Sequence, residues 1–215
     1  MTTSKRSVIH VECNDSIVRY FHTIVDLHDS FQSLRNSKQL EEELSLVERL
    51  TYRTKNQQRR MQHWHKYREC FKRFRGLIEG CQSSITSFIF ASSEACSAAK
   101  SAGATSIRKL RKVGVPTPEI AAASMESLLL CHQLSTFAVE ACEKSCSLAT
   151  SLLGQTFFMP MSLVISSSSA RLWAFAVHVQ SLVRASFDSV RGLTVSAGPL
   201  LSPALTGLPG PFSSG

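Results

Sequence analysis

The stretch LEEELSLVERLTYRTKNQQRRMQHWHKYRECFKRFRG, residues 40–76, reads as one helix from end to end. Leu40, Leu44, Val47, Leu50, Thr54, Gln57, Met61, Trp64, Phe71 and Phe74 recur at three- and four-residue steps, the repeat that gathers side chains on one helical face. Continued to Gly76, such a helix reaches about 50 Å at about 1.5 Å per residue. Glu41, Glu42, Glu43 and Glu48 crowd its first third and bases fill the rest, the order that suits a helix dipole. On this reading Glu41 to Glu43 occupy a solvated first turn, while Leu50, Met61, Trp64 and Phe71 face a core.

Working outward, Ile17, Phe21, Ile24, His28, Phe31 and Leu34 mark an amphipathic helix over 14–35, with Asp15 as its cap and Asn36-Ser37 as the break after it. Downstream, Gly76 and Gly80 loosen the pattern. Ile85, Phe88, Ile89, Ala95 and Ala98 then predict a third helix, closed by Gly103. Residues 103–118 read as a linker carrying Arg108, Lys109, Arg111 and Lys112 and ending in Gly114, Pro116 and Pro118. Thr117 caps a fourth helix that starts at Pro118 and stops at Gly154. Leu163, Val164, Leu172, Trp173, Ala176, Val179, Leu182, Val183 and Phe187 place a fifth over Met161 to Arg191. Residues 192–215 hold four prolines, five glycines and no charge, and are expected to be a disordered tail. No pair of strands with hairpin chemistry stands out. The expected fold class is all-α: an elongated bundle of about five helices with a long basic second helix, forming a single helical domain over 1–191.

Composition agrees with a folded chain. Charged residues make up 19% of the 215, against about 25% in an average soluble domain, and apolar residues 43%. Of the formal charge of +8, the segment 49–75 alone contributes more than the whole, with ten bases against the single acid Glu69. The remaining 14 bases and 15 acids nearly cancel. A basic segment on an otherwise neutral protein implies a polyanionic partner.

Catalysis is not expected. No HExxH, GxSxG, GxGxxG or GxxxxGK[ST] string is present. The seven cysteines form no Cys-x-x-Cys pair, which implies neither a disulfide framework nor a zinc ribbon. Cys142 and Cys146 share an apolar helical face and read as core thiols rather than metal ligands. His63 and His65 project to different faces. No cofactor, metal or small-molecule substrate is implied. The N-terminus reaches Glu12 before any apolar run forms, so it is no secretory signal, and the expected location is intracellular and reducing. Ser145 to Ala170 lacks charge, but Gln155, Pro160 and the serines 166–169 interrupt it; a helix packed in a bundle is expected, not a membrane span.

The chemistry concentrates in VERLTYRTKNQQRRMQHWHKYRECFKRFR, residues 47–75. Arginine pairs with phosphates or stacks on bases, and Tyr52, Trp64, Tyr67, Phe71 and Phe74 interleave with the basic residues. Aromatic rings offer stacking platforms, but the expected arrangement is aromatic core contacts on one side and an RNA-facing basic side on the other. Asn56, Gln57 and Gln58 offer hydrogen bonds to base edges or sugar hydroxyls. The expected RNA-binding residues are Arg49, Tyr52, Arg53, Lys55, Asn56, Gln57, Arg59, Arg60, Lys66, Arg68, Lys72, Arg73 and Arg75. Arg108, Lys109, Arg111, Lys112 and Arg171 form a secondary set. For the linker bases a solvated connector is the default; Arg171 pairs with an acid or with a phosphate.

The string Tyr52-Arg53-Thr54-Lys55-Asn56-Gln57-Gln58-Arg59-Arg60 resembles the signature of the family containing the fungal RNase MRP-specific protein subunit and the nucleolus and neural progenitor protein. Gln58 stands where that family often has His. A second resemblance lies in Leu152-Leu153-Gly154-Gln155-Thr156-Phe157-Phe158-Met159-Pro160 and in Ala170-Arg171-Leu172-Trp173, where a late helix of the family ends and another begins. Phe157, Phe158 and Met159 read most simply as a hydrophobic plug. Together the matches span about residues 30 to 190. The resemblance implies a non-catalytic RNA-binding subunit of a nucleolar ribonucleoprotein of the RNase MRP type, acting in precursor ribosomal RNA processing. Its partners would be a structured non-coding RNA and other protein subunits, with no membrane, and its location the nucleus and nucleolus. The alternative is a helical protein–protein adaptor without direct RNA contact.

Overall fold

The computed structural model describes the backbone of residues 8–12, 15–91, 112–154 and 159–196 and, within these, the side chains of 15–81, 115–154 and 159–196. Five helices dominate: α1 (Asp15–Arg35), α2 (Lys38–Gln58), α3 (Gln62–Ala91), α4 (Pro118–Gly154) and α5 (Met159–Ser196). The fold class is all-α, with one addition. Strands β1 (Val8–Glu12) and β2 (Lys112–Pro116) pair antiparallel, Val8 opposite Pro116 and Glu12 opposite Lys112. The pairing joins segments about a hundred residues apart, so no hairpin turn announces it. The linker expected over 103–118 therefore ends in a strand, and Lys112 belongs to it; Arg108, Lys109 and Arg111 lie outside the described residues.

The chain divides into two compact units. The first comprises residues 1–28, 84–129 and 185–215 and holds the strand pair. Its core includes Ile17, Phe21, Ile24, Met125, Leu128, Phe187, Val190 and Leu193. The tail expected from Gly192 does not begin there, because α5 runs on to Ser196 with Leu193 and Thr194 buried; residues 197–215 lie outside the described residues. Gly192 permits this: a Cβ there would collide with the ring of Tyr20, which lies against the helix backbone. A side chain at 192 would push that ring away.

The second unit comprises residues 29–83 and 130–184. Here the single helix expected from Leu40 to Gly76 is broken. α2 ends at Gln58, the Met61 amide donates to the Gln58 carbonyl at 2.9 Å, and α3 starts at Gln62. Arg75 pairs with Glu48 at 3.3 Å, although a straight helix would hold residues 27 apart at a distance of about 40 Å. α2 and α3 thus fold into an antiparallel hairpin. The same apolar repeat that predicts one rod serves two helices, since the turn at 59–61 lets Val47 on one and Trp64, Tyr67, Phe74 and Leu77 on the other all be buried. The break expected at Gly76 and Gly80 is absent: α3 continues to Ala91, and Gly80 brings it against α4, where a Cβ would come within 2.9 Å of Leu134 Cδ1.

Within this unit α3 and α4 run antiparallel. Cys70 Sγ lies 3.2 Å from Cys142 Sγ, and Arg73 sits 5.6 Å over the Phe137 ring. α4 and α5 also run antiparallel, with Ser145 and Ser169 hydroxyls 2.8 Å apart, Gln180 donating to Thr136 at 3.1 Å and Trp173 donating to Glu143 at 3.1 Å. Serines at 135, 145, 162, 168 and 169 are buried in these seams, where small side chains let helices approach closely. Among the described residues, no helix is long and apolar enough to cross a membrane.

Candidate nucleic-acid interface

The basic segment becomes the outer face of the α2–α3 hairpin. Arg49, Tyr52, Arg53, Lys55, Asn56, Gln57, Arg59, Arg60, Arg68, Lys72, Arg73 and Arg75 are all exposed, and Lys66 is half-buried. On α2, Arg49, Arg53 and Asn56 recur at helical steps and so form one stripe; Arg59 and Arg60 follow at the turn. On α3, Arg68, Lys72 and Arg75 form another. The opposite face of α3 carries Trp64, Tyr67, Cys70, Phe74, Leu77 and Cys81, all buried. One helix therefore presents charge to water and aromatic surface to the core, as its period dictates.

The bases are not equivalent. Lys66 is held by Glu69 at 2.9 Å, Arg75 by Glu79 at 3.1 Å and by Glu48, and Arg73 by the Phe137 ring. Arg49 Nε donates to the Ser45 carbonyl at 3.3 Å. Arg53, Lys55, Arg59, Arg60, Arg68 and Lys72 have no acid in reach among the described residues. These six are ready to neutralise phosphates without first breaking an ion pair. Lys66 in turn holds the Glu69 carboxyl below its ordinary range by hydrogen bonding.

Some expectations hold and others change. The aromatic core contacts expected on one side of the segment are present, since Trp64, Tyr67 and Phe74 are fully buried and Phe71 half-buried; of the five aromatic residues only Tyr52, 84% exposed, is open for stacking. Trp64 packs against Tyr67 at 6.2 Å, and Tyr67 donates its hydroxyl to Ser168 at 3.2 Å. Burial pushes the Tyr67 phenol well above its usual range. Met61, expected in the core, is exposed because it sits in the interhelical turn. Gln58, the position where the resembled family often carries His, is buried with its Oε1 unpartnered, so it faces inward rather than toward a ligand.

The late motif resolves as structure. Arg171 reaches Glu43 at 3.0 Å, and Glu43, expected on a solvated turn, is only 4% exposed. Its helical phase explains the burial: Leu40, Glu43 and Val47 lie on one face of α2. Sequence reasoning missed Glu43 because three glutamates in a row conceal which one turns inward. Met159, expected in a plug, is exposed, while Phe157 and Phe158 lie outside the described residues. Thiols serve as core groups, Cys142 fully buried and Cys146 partly so. Hydrogen bonding to Cys142 and burial raise the Cys70 thiol; Cys131 and burial do the same for Cys81. Among the described residues no cluster of His, Cys, Asp and Glu is arranged to hold a metal.

No curated protein and no solved structure matches the chain significantly. A family model does, the N-terminal region of the nucleolus and neural progenitor protein, over residues 2–188. That interval contains both sequence motifs, all the helices but the last turns of α5, and the entire basic hairpin. With so much of its length matched, the chain belongs to the nucleolus and neural progenitor protein family, and with that membership comes a nucleolar role.

Proposed function

We propose that the protein is a non-catalytic, RNA-binding structural subunit of a nucleolar ribonucleoprotein of the RNase MRP type, acting in precursor ribosomal RNA processing. The observation that carries this reading is the outer face of the α2–α3 hairpin, where six exposed bases have no acid in reach among the described residues. An ordinary solvated face pairs most of its charges; here Glu48, Glu69 and Glu79 pair with only Lys66 and Arg75, and bases outnumber acids. Phosphate contact supplies affinity, and RNA shape together with neighbouring protein subunits supplies specificity, since one hairpin of bases reads little sequence. Protein neighbours would dock on exposed apolar side chains of α4: Leu130 and Phe137, two turns apart, are 57% and 50% exposed, with Arg73 beside the Phe137 ring.

The test is RNA recovery followed by charge reversal. Cross-linked purification from native cells should enrich one structured non-coding RNA. If Arg53, Lys55, Arg59 and Arg60 each neutralise one phosphate, affinity falls with salt at a log–log slope of about −3. Arg59→Glu with Arg60→Glu should weaken binding more than tenfold. Affinity within twofold of wild type, in a folded double variant, would reject this surface; a stoichiometric protein partner surviving nuclease, with only background RNA, would favour the adaptor.

A further inference from the structure

A cavity of about 970 Å³ opens in the second unit between α2 and α5, near the upper end of the range that takes small molecules. α2 lines it with Gln39, Glu42, Glu43, Leu46 and Arg49, which lie on one helical stripe, and Arg53 and Asn56 continue that stripe beyond the cavity. α5 contributes Arg171, Phe175 and His178 at three- to four-residue steps. Phosphate-binding bases therefore lead directly to a recess with an apolar floor, two rings and a second guanidinium.

We propose that this cavity receives one unstacked base of the RNA strand that follows the Arg53–Arg49 stripe. The proposal rests on the RNA-binding reading above and names where a base enters. A single strand presents its bases for stacking on aromatic rings, and Phe175 and His178 supply them while Leu46 closes the apolar side. Arg49 and Arg171 flank the recess and take the phosphates on either side. Arg171 keeps donors for this role, because its pairing with Glu43 involves only one terminal nitrogen. Glu43 borders the cavity, and its Oε2 holds Arg171 at the rim. Purines offer the larger face to the Phe175 and His178 rings, so the recess prefers a purine over uridine.

The probe is a decauridylate with one central 2-aminopurine, titrated into the full chain at low salt and read by fluorescence. The purine stacks more strongly than uracil, so this one base takes the recess and ring stacking changes its emission. Replacing it with an abasic ribose should weaken binding to the wild-type protein about 5- to 20-fold, the worth of one stacked base. Phe175→Ala should abolish the emission change and lose affinity by a similar factor. The abasic comparison needs no variant, so it decides the matter even if Phe175→Ala misfolds. If the abasic and 2-aminopurine strands bind within twofold while Arg53→Glu with Arg60→Glu eliminates binding, the basic face stands and the base pocket is wrong. If the wild-type chain ignores both strands, the RNA reading itself fails first. Loss of a protein partner from purified Phe175→Ala complexes, with RNA affinity unchanged, would make the recess a protein dock and overturn the proposal.

Discussion

Arg53, Lys55, Arg59 and Arg60 stand on the outside of the α2–α3 hairpin with no acid in reach among the described residues, whereas many polar groups inside the same unit find each other, with Glu43 Oε1, Gln58 Oε1 and Trp64 Nε1 as exceptions. In the seam of α3, α4 and α5, Ser145 meets Ser169, Tyr67 meets Ser168 and Cys70 meets Cys142. The contrast separates two uses of polar chemistry. Pairing stabilises buried polar atoms, because desolvation without a partner costs about 1–3 kcal/mol each. Exposed charges need no partner, and leaving them without one keeps them available to a ligand. Arg171 stands at the border: exposed itself, it is bound to a carboxylate that is not.

Substitutions can break the comparison at either end. Phe74→Ala, on the inner face of α3, should cost about 3–5 kcal/mol in urea or thermal unfolding. Arg59→Glu with Arg60→Glu, on the outer side, should change stability by no more than about 0.5 kcal/mol despite its large effect on RNA, and a big loss there would mean the bases are structural. Between them, Arg171→Ala strands the buried Glu43 carboxylate and should cost about 1–3 kcal/mol. Adding Glu43→Leu should recover most of that loss in a double-mutant cycle; no recovery would separate the two residues energetically.

Thiol chemistry sharpens the interior half. Among the described cysteines, alkylation of the native protein at mildly basic pH should reach the partly exposed Cys146 first and Cys70 and Cys81 last, since a neighbouring thiol and burial suppress their thiolates. Peptide mass spectrometry gives the order. The smallest effect lies on the surface, at Glu69. Its carboxyl is depressed in the folded state by Lys66, so the pair stabilises above the ordinary glutamate range and the contribution disappears as pH falls through the lowered value. Lys66→Ala should therefore lose only a few tenths of a kcal/mol at neutral pH, and nothing in strong acid.

Much of this was readable along the chain. Ile17, Phe21 and Ile24 place α1, Asn36-Ser37 its end, and Pro118 and Gly154 the two ends of α4, because caps and apolar repeats are local signals. The basic face was equally legible, as charge density needs no fold to be counted. The aromatic side was legible too, since rings at helical spacing read as core contacts and Trp64, Tyr67 and Phe74 are buried; Met61 was misread, because the interhelical turn that exposes it depends on packing. The strand pair was invisible, since its partners meet only once the helices between them are placed.

Helix content, the order of acids before bases and the +8 charge follow from residue order alone, because each depends on neighbours within a turn or two. The fold-back at 59–61, the inward turn of Glu43 to Arg171 and the recess beside Phe175 belong to packing. An apolar repeat is equally satisfied by one straight helix or by two antiparallel ones. Only the burial of Val47, Trp64 and Phe74 by helices distant in sequence makes the folded-back form the stable one.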